Sequence, residues 1–189
     1  MRGRRHPEWS KAASRGTTAA QPTARSWTTP RGELESEGSA RTDEEGSDHV
    51  GTDRNRQTIL RFYAAISRHD WDAVADCLAD DYVFYPGPDE REAIRGREAF
   101  VQHERGAIEA FPDLTVEVLD VAAEGDVVAS RLRVSATHQG EFMGIPASGN
   151  HVELEYANFS RCDQHSRIVE DRDFVDSLAL MQQLGVEAG

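Results

Sequence analysis

Apolar residues recur at two different spacings along this chain, and the switch between them marks where helices give way to strands. A spacing of three and four residues predicts a first helix over residues 52–67. Its apolar positions are Ile59, Leu60, Phe62, Tyr63 and Ile66. Asp70 can cap a second, shorter helix, and a third is expected from Gly96 to about Ala110, because Pro112 prevents its continuation.

Beyond Pro112 the apolar residues alternate with polar ones, which is the period of a half-buried strand. Together with a short β-branched and aromatic run, the predicted strands are residues 82–85, 114–121, 127–138, 151–161 and 167–175. Residues 140–149 form a Gly-rich loop, and Asp176 can cap a last helix over residues 177–184. Helices followed by long antiparallel strands predict an α+β fold with the helices packed on one curved sheet.

Composition changes sharply near residue 50. Residues 1–49 contain Leu34 as their only Leu, Ile or Val and are rich in Gly, Ser, Thr, Ala, Pro and Arg. Such a segment buries too little apolar surface to offset the entropy lost on ordering. We therefore expect a disordered tail over residues 1–50 and one folded domain over residues 51–189. A transit peptide, or a true translation start near Val50, would also explain the tail.

The acidic charge is concentrated in the predicted domain. Residues 50–189 carry 13 Arg and 26 Asp or Glu, which accounts for the whole net charge of −13. A surface of this sign repels phosphate groups, which argues against nucleic acid or an anionic membrane as a partner. Lys11 is the only lysine, which fits either a salt-rich cytoplasm or GC-rich coding.

The sequence lacks the motifs that are typical of several function classes. The chain has no Gly-rich phosphate loop, no metal-ligand spacing and no nucleophile paired with a base in a recognisable motif. We therefore expect no metal and no cofactor. No apolar stretch approaches the ~18 residues of a membrane-spanning helix, and Cys77 and Cys162 lack disulfide or redox spacing. A reduced, cytoplasmic protein is the expectation.

Two phrases in the second half of the chain carry a family resemblance. Residues 137–149, T-H-Q-G-E-F-M-G-I-P-A-S-G, resemble the T-H-x-G-x-F-x-G-I-P-x-[TS]-G stretch of SnoaL-like polyketide cyclases, also called ester cyclases, of the NTF2-like superfamily. Residues 167–185, which begin R-I-V-E and end Q-L-G, are similar to the closing motif of that family. The opening helices are similar as well, so the resemblance covers residues 53–185.

The resemblance implies both a fold and a type of reaction. The fold is an α+β cone, in which a curved, mostly antiparallel sheet wraps around the amino-terminal helices and leaves one apolar pocket, usually in a homodimer. Characterised relatives close polyketide rings by intramolecular aldol chemistry without metal or organic cofactor. An aspartate on their last strand acts as general acid and base, and this position matches Asp173. A histidine on the preceding strand assists it, and here that position falls on or beside Asn158.

Three residues are the candidates for catalysis. Asp173 could remove a proton next to a carbonyl, because burial in an apolar cavity raises the pKa of a carboxyl toward the working pH. An inward Asp173 implies either an inward Asp171, by strand alternation, or a bulge near the strand end; the alternative is an exposed Asp173 paired with an arginine. Asn158 could donate to an enolate oxygen or be satisfied by backbone. His138 could be a second acid or base, or could bond the 140–149 loop.

Six further residues are candidates for substrate binding. Phe142, Met143 and Ile145 could form a flexible apolar rim or belong to the core. Tyr156 shares the strand face of Asn158, and Tyr85 ends a strand before Pro86. Asp176 is also a candidate, although capping of the last helix explains it equally well. The predicted substrate-binding set therefore consists of Tyr85, Phe142, Met143, Ile145, Tyr156 and Asp176.

These features favour one function and leave two alternatives. The leading hypothesis is a cofactor-independent enzyme of the cyclase, isomerase or lyase type that acts on a small hydrophobic carbonyl compound, with Asp173 as the acid and base. One alternative is a binding protein that uses the same pocket without turnover. The other is a dimeric accessory module whose outer sheet face serves assembly.

Overall fold

A computed structural model describes residues 42–87 and 89–186. The helices are α1 (Thr42–Ser67), α2 (Trp71–Cys77), α3 (Arg97–Ala110) and α4 (Ser177–Leu184), with a single 3-10 turn at Glu90–Glu92. The strands are β1 (Leu78–Tyr85), β2 (Ile94–Arg95), β3 (Thr115–Glu124), β4 (Val127–Thr137), β5 (His151–Cys162) and β6 (Ile168–Phe174). The α+β fold expected from the sequence is confirmed.

The first helix is longer than its apolar pattern predicts. It begins at Thr42 rather than at Thr52, so regular structure starts before the change of composition near residue 50. The added turns cover residues 42–51. Because this stretch contains almost no apolar residues, a search for apolar periodicity does not detect it. Residues 1–41, the rest of the predicted tail, lie outside the described residues.

The six strands form one mixed sheet with the order β2-β1-β6-β5-β4-β3. Only β1 and β6 run parallel, and the other neighbours in the described sheet are antiparallel. The last strand is therefore inserted beside the first one, so that β5 and β6 lie in the middle of the sheet. Two residues of β2, Ile94 and Arg95, add an edge strand that is too short to show an alternating pattern.

The helices cover one face of the sheet, where the main core lies. α1 packs against β3, α3 against β1, and α4 against β5. Register shifts in β3 near Leu119 and between Arg161 and Cys162 bend the strands, as β-bulges do. The largest fully buried apolar or aromatic side chains are Ile59, Val74, Leu78, Tyr82, Val128, Leu132, Ile168 and Leu184.

The loop from Gln139 to Asn150 packs on the end of α3. The backbone N–H groups of Gln139 and Gly140 both donate to the carbonyl oxygen of Ala110, at 2.8 and 3.0 Å. A Cβ atom on Gly140 would lie 2.5 Å from the carbonyl oxygen of Glu109. Glycine is therefore required for this close approach, and the approach brings Phe142 against Phe111, with ring centroids 5.0 Å apart.

The opposite, outer face of the sheet carries a ladder of ion pairs. Arg131 bridges Asp120 and Glu155, and Arg133 bridges Glu117 and Glu155, with N–O distances of 2.6 to 3.2 Å. All five side chains are solvent-exposed, so water and salt screen each pair and it adds little to stability. Their main effect is to place positive charge among the acids of β3 and β5.

Two large aromatic side chains lie exposed on the same outer face. Phe159 is 47% exposed and Phe174 is 52% exposed. Their rings pack edge to face with centroids 5.8 Å apart, across the pairing of β5 with β6. Arg161 and Arg172 lie beside them in a shallow surface hollow.

Candidate functional site

A cavity of about 90 Å³ lies between the helices and the inner face of the sheet. Its walls come from α1, α3 and five of the six strands, and they combine aromatic side chains with an unusual number of acids. The polar side chains in the wall are Tyr63, Tyr82, Glu104, Tyr156, Asn158, Asp171 and Asp173. No Arg, Lys or His side chain is present among the described residues that line it.

Strand alternation on β6 produces the acidic wall. Asp171 and Asp173 both point into the cavity, whereas Arg172 and Phe174 lie on the outer face. Asp171 is 1% exposed. On the neighbouring strand, Asn158 is directly paired with Asp173 and is also 1% exposed. The pleat of two adjacent central strands thus brings an amide between two carboxyl groups.

Hydrogen bonds join these side chains into one line. Asn158 Nδ2 donates to Asp173 Oδ1 at 2.8 Å, and Ser160 Oγ lies 2.8 Å from Asn158 Oδ1. Ser160 Oγ also forms a very short hydrogen bond with Asp171 Oδ1. At the far end, the Tyr82 hydroxyl lies 2.8 Å from Asp171 Oδ2. Asp173 is held at the cavity by a single amide donor.

Burial shifts the acids of the cavity toward neutral pH. Desolvation raises the pKa of Asp173 to about 7, against the opposing hydrogen bond from Asn158, and the charge of Glu104 adds to the rise. Desolvation likewise raises the pKa of Asp171 to about 7; the side chains of Ser160, Tyr82 and Asn158 oppose the rise, and the charge of Asp173 adds to it. The pKa of Glu104 also rises to about 7, through desolvation alone. The Glu104 side chain is half-buried and keeps some contact with solvent.

Two tyrosine hydroxyls face the cavity as free donors. Tyr63 and Tyr156 form no hydrogen bond to any other residue in the described part of the chain, whereas Tyr82 is bonded to Asp171. Burial raises the pKa of both phenols well above the ordinary value, and the nearby acids raise it further. Both hydroxyls therefore stay protonated, and each can donate to an oxygen of a bound molecule.

An apolar hollow of about 180 Å³ adjoins the acidic cavity. The two share Leu114, Val134 and Tyr156 in their walls. The rest of the hollow is almost entirely apolar, with Phe111 and Phe142 on one side. Together, the two cavities can hold a molecule with an apolar body and one polar, reactive end.

The donor set favours proton transfer over metal binding. Within residues 42–87 and 89–186, no three His, Cys, Asp or Glu side chains are grouped so as to hold a metal ion. Carboxyl groups with a pKa near 7 can both accept and donate protons at neutral pH, as general acid–base catalysis requires. No helix in the same residues is long and apolar enough to cross a membrane.

The comparison that decides the family covers most of the domain. The family described as SnoaL-like polyketide cyclase matches residues 57–184. The chain belongs to this family. Curated proteins give no match. The resemblance read from residues 137–149 and 167–185 is thereby confirmed.

Three solved structures have the same fold. IdmH from Streptomyces antibioticus, provisionally described as a polyketide cyclase, is 33% identical with a TM-score of 0.61; the match covers 70% of this chain and 99% of IdmH. AclR from Streptomyces galilaeus, provisionally described as a hydroxylase, is 31% identical with a TM-score of 0.63 and coverages of 72% and 99%. A Jannaschia protein, 23% identical with a TM-score of 0.67 and coverages of 80% and 100%, is alike in fold alone.

The structure of this SnoaL-like protein brings together three of the residues singled out from its sequence. Asp173, Asn158 and Tyr156 line the acidic cavity, and Phe142 lines the apolar hollow beside it. Asp173 pairs with no arginine; its hydrogen bond is to Asn158. The alternation that links an inward Asp173 to an inward Asp171 is present as predicted.

His138 lies outside both cavities. It is fully buried, and its ring stacks on Phe111 with centroids 5.2 Å apart. Its Nδ1 atom lies 3.0 Å from Ser148 Oγ and accepts from the Ser148 backbone N–H at 3.2 Å. These contacts agree with the alternative in which His138 bonds the 140–149 loop.

The other candidates for substrate binding lie at the edges of the domain. Tyr85 packs under the Arg172 guanidinium, 4.0 Å from its ring centroid, and Asp176 accepts from the Ala179 N–H as the cap of α4. Met143 is 73% exposed at the tip of a two-residue turn, and Ile145 pairs with Phe142 at its base. None of these four lines either cavity.

Sequence reasoning missed Glu104, Tyr63 and Tyr82 as residues of the site. A signal for Glu104 exists, because it lies four residues after Phe100 and seven before Phe111, on the apolar side of α3. Burial of an unpaired acid at such a position lowers stability, which marks Glu104 as a candidate for a functional role. Tyr63 and Tyr82 fit the apolar pattern of their elements, so their positions alone give no sign of a polar role.

Proposed function

We propose that this chain is a cofactor-independent cyclase or isomerase in which Asp173 removes a proton from carbon next to a carbonyl. One observation supports this most strongly: a carboxylate with a pKa near 7 lines a cavity that shares part of its wall with an apolar hollow. A base of that pKa is half ionised at neutral pH and is strong enough to take part in enolate formation.

In the proposed reaction, the Asp173 carboxylate takes the proton, and the electron pair of the C–H bond becomes an enolate. The hydroxyls of Tyr63 and Tyr156 have no hydrogen-bond partner within residues 42–87 and 89–186 and are suited to donate to the enolate oxygen, which is where charge develops. The enolate carbon then attacks a second carbonyl of the same molecule and closes a ring. The resulting alkoxide receives a proton from Asp173 or from Glu104.

The substrate is proposed to be small, hydrophobic and uncharged at its reacting end. The acidic cavity has room for only a few heavy atoms, and the adjoining hollow is lined by aliphatic and aromatic groups. Because no cationic side chain lines the acidic cavity, a carboxylate or phosphate on the reacting end would be repelled. A linear molecule with alternating carbonyl groups meets these requirements.

The test replaces Asp173 by Asn and follows ring closure of linear polycarbonyl compounds by mass spectrometry. We expect turnover to fall at least ~100-fold, the usual contribution of a positioned acid or base, while affinity for the same compounds stays within a fewfold range. The matched control is Asp126→Asn, an exposed acid paired with Arg161 at the β3–β4 turn. Full turnover by the Asp173 variant would contradict the proposal.

Two other outcomes separate the remaining hypotheses. Tight binding without turnover by the wild type would favour the non-catalytic binding protein. A product heavier by one oxygen atom would favour a hydroxylase, the class provisionally assigned to the 31% identical AclR. Ring closure by aldol addition leaves the mass unchanged, so one mass spectrum distinguishes the two reactions.

We further propose a homodimer in the cytoplasm. The exposed Phe159 and Phe174 pair on the outer sheet face supports the dimer, because a solvent-facing aromatic patch on a monomer is unfavourable. Cys77 and Cys162 are free and buried, which suits a reducing compartment.

A further inference from the structure

The line of hydrogen bonds behind Asp173 contains four contacts. They join Tyr82 Oη to Asp171 Oδ2, Asp171 Oδ1 to Ser160 Oγ, Ser160 Oγ to Asn158 Oδ1, and Asn158 Nδ2 to Asp173 Oδ1. Four of the five side chains, Tyr82, Asn158, Ser160 and Asp171, are at most 2% exposed, and Asp173 is half-buried. Each contact at these distances needs one proton between its two atoms.

Counting the protons shows that one is missing. Tyr82 can supply one, Ser160 one, and the Asn158 amide nitrogen one to Asp173, which makes three protons for four contacts. An ionised Asp171 and an ionised Asp173 supply none. If both were ionised, Ser160 could donate to only one of its two oxygen neighbours, and the other pair of oxygens would repel each other in the interior. One of the two aspartates must therefore carry a proton.

The direction of the Asn158 amide decides which aspartate it is. Its nitrogen faces Asp173, and its oxygen faces Ser160. Ser160 then gives its only proton to Asn158, so the proton in the very short contact with Asp171 must come from Asp171 itself. If the amide were turned over, its oxygen would face Asp173, and the proton would have to sit on Asp173 instead.

We propose that Asp171 is a neutral carboxylic acid that, through Ser160, holds the Asn158 amide with its nitrogen toward Asp173. Asp171 is in this sense a positioning residue: it touches no substrate atom in the proposed reaction and acts through two other side chains. The protonation of Asp171 follows from the hydrogen bonds alone. Its benefit to catalysis, which is to keep Asp173 the ionised partner, rests on the proposed function.

The surroundings of Asp171 favour its neutral form. The titratable groups that face it are Tyr63 on α1, Tyr82 on β1, Tyr156 and Cys162 on β5, and Asp173 on the same strand, none of which carries positive charge. Two carboxylates close together in an apolar site do not both ionise readily. Burial also raises the pKa of Asp171 to about 7, in agreement with the proton count.

The proposal predicts an unequal response to two equivalent substitutions. Asn has the shape of a neutral carboxylic acid and can donate to Ser160 while it accepts from Tyr82. Asp171→Asn should therefore fold and keep the line intact. Asp173→Asn replaces an ionised group that accepts from Asn158, so it should remove the base itself.

Infrared spectroscopy of the protein without any ligand tests the proton directly. At pH 7 we expect a carbonyl stretching band of a protonated carboxylic acid that is much weaker in Asp171→Asn than in Asp173→Asn, because Asp171 holds the shared proton. Glu104→Gln identifies the band of the third cavity acid, so that it is not mistaken for that of Asp171. If Asp171→Asn does not fold, ¹³C NMR of aspartate carboxyl carbons in the wild type, assigned with Asp173→Asn, gives the same answer.

The opposite spectral pattern would overturn the proposal. A protonated-acid band that survives in Asp171→Asn and disappears in Asp173→Asn would mean that the amide is reversed and that Asp173 holds the proton. Turnover then tests the catalytic benefit separately: with a working substrate, Ser160→Ala, which breaks the line between Asp171 and Asn158, should lower kcat more than Asp171→Asn, which keeps the line. Failure to find any substrate would weaken the proposed function but would leave the infrared result as it is.

Discussion

At the scale of single residues, the feature that sets this protein apart is the concentration of acids in one cavity. Glu104, Asp171 and Asp173 all have their pKa raised to about 7, and desolvation is the largest cause for each. A group that prefers to be neutral in the fold and charged in the unfolded chain lowers stability at high pH. The three acids of the site therefore lower the free energy of unfolding at high pH.

Glu104 gives a measurable form of this effect. Its pKa rises from an ordinary 4.5 to about 7, so between these values the folded chain binds a proton that the unfolded chain releases. Stability from this group is complete below pH 4.5 and is lost as pH rises through about 7. Glu104→Gln should raise the Tm at pH 8 by roughly 3 °C, as ~1 kcal/mol does in a domain of this size.

Calorimetry at pH 6 and pH 8 checks this prediction. The gain in Tm should be clearly larger at pH 8 than at pH 6, because the wild-type carboxyl is already mostly neutral at the lower pH. Glu109→Gln, on the exposed side of the same helix, is the matched control and should change Tm little at either pH. An equal gain at both pH values would show that Glu104 is not desolvated.

The residues of the site could be predicted from the sequence only in part. Asp173 and Asn158 follow from strand alternation together with the family resemblance, since both lie on the inward face of a strand. The line from Tyr82 through Asp171 and Ser160 depends on β6 lying between β1 and β5. Insertion of the last strand beside the first one is a long-range pairing, and local periodicity holds no information about it.

At the scale of elements, the contact between the 139–150 loop and α3 shapes the apolar hollow. Gly140 lies so close to the backbone of Glu109 that a methyl group has no room. The obstacle is backbone, which cannot rotate away as a side chain could. Phe142, two residues later, forms part of the wall of the hollow, so a shift of the loop changes the hollow as well.

Two glycine substitutions should therefore act in opposite directions. Gly140→Ala should lower the free energy of unfolding by about 1–3 kcal/mol, as overpacking usually does. Gly106→Ala, in α3 with nothing within 4 Å of the new methyl group, should raise it by roughly 0.5–1 kcal/mol, because alanine favours a helix. Urea unfolding of both variants checks this, and a neutral Gly140→Ala would contradict the described loop contact.

Most elements could be predicted because their patterns are local. The strands from β3 to β6 alternate clearly, and α2, α3 and α4 begin and end at recognisable residues such as Asp70, Pro112 and Gly185. The first turns of α1 and the short β2 were missed for the same reason. Neither buries a regular set of apolar side chains, so each depends on neighbours that a local pattern does not reveal.

At the scale of the whole molecule, net charge and the outer sheet face have opposing effects on association. A net charge of −13 makes two copies repel each other, whereas Phe159 and Phe174 gain by leaving water. Because added salt screens the repulsion and leaves the apolar gain intact, the proposed dimer should form more readily as ionic strength rises.

Light scattering after size-exclusion chromatography tests the dimer at low and high salt. We expect Phe159→Ser with Phe174→Ser to shift the protein toward monomer by at least tenfold in Kd, which corresponds to ~1.4 kcal/mol. Leu178→Ser, at a residue that is 61% exposed on α4, is the matched control and should leave association unchanged. A monomeric wild type at every salt concentration would rule the dimer out.

The walls of both cavities share Leu114, Val134 and Tyr156. The space between these three side chains limits how thick a molecule can be if it is to occupy both cavities. We expect a flat, unbranched end to fit between them and reach the acids, whereas a bulky ring system should stay in the apolar hollow. The protein would then select ligands by the width of their reactive end more than by their total length. Widening the opening at Val134 should admit branched compounds that the natural protein turns away.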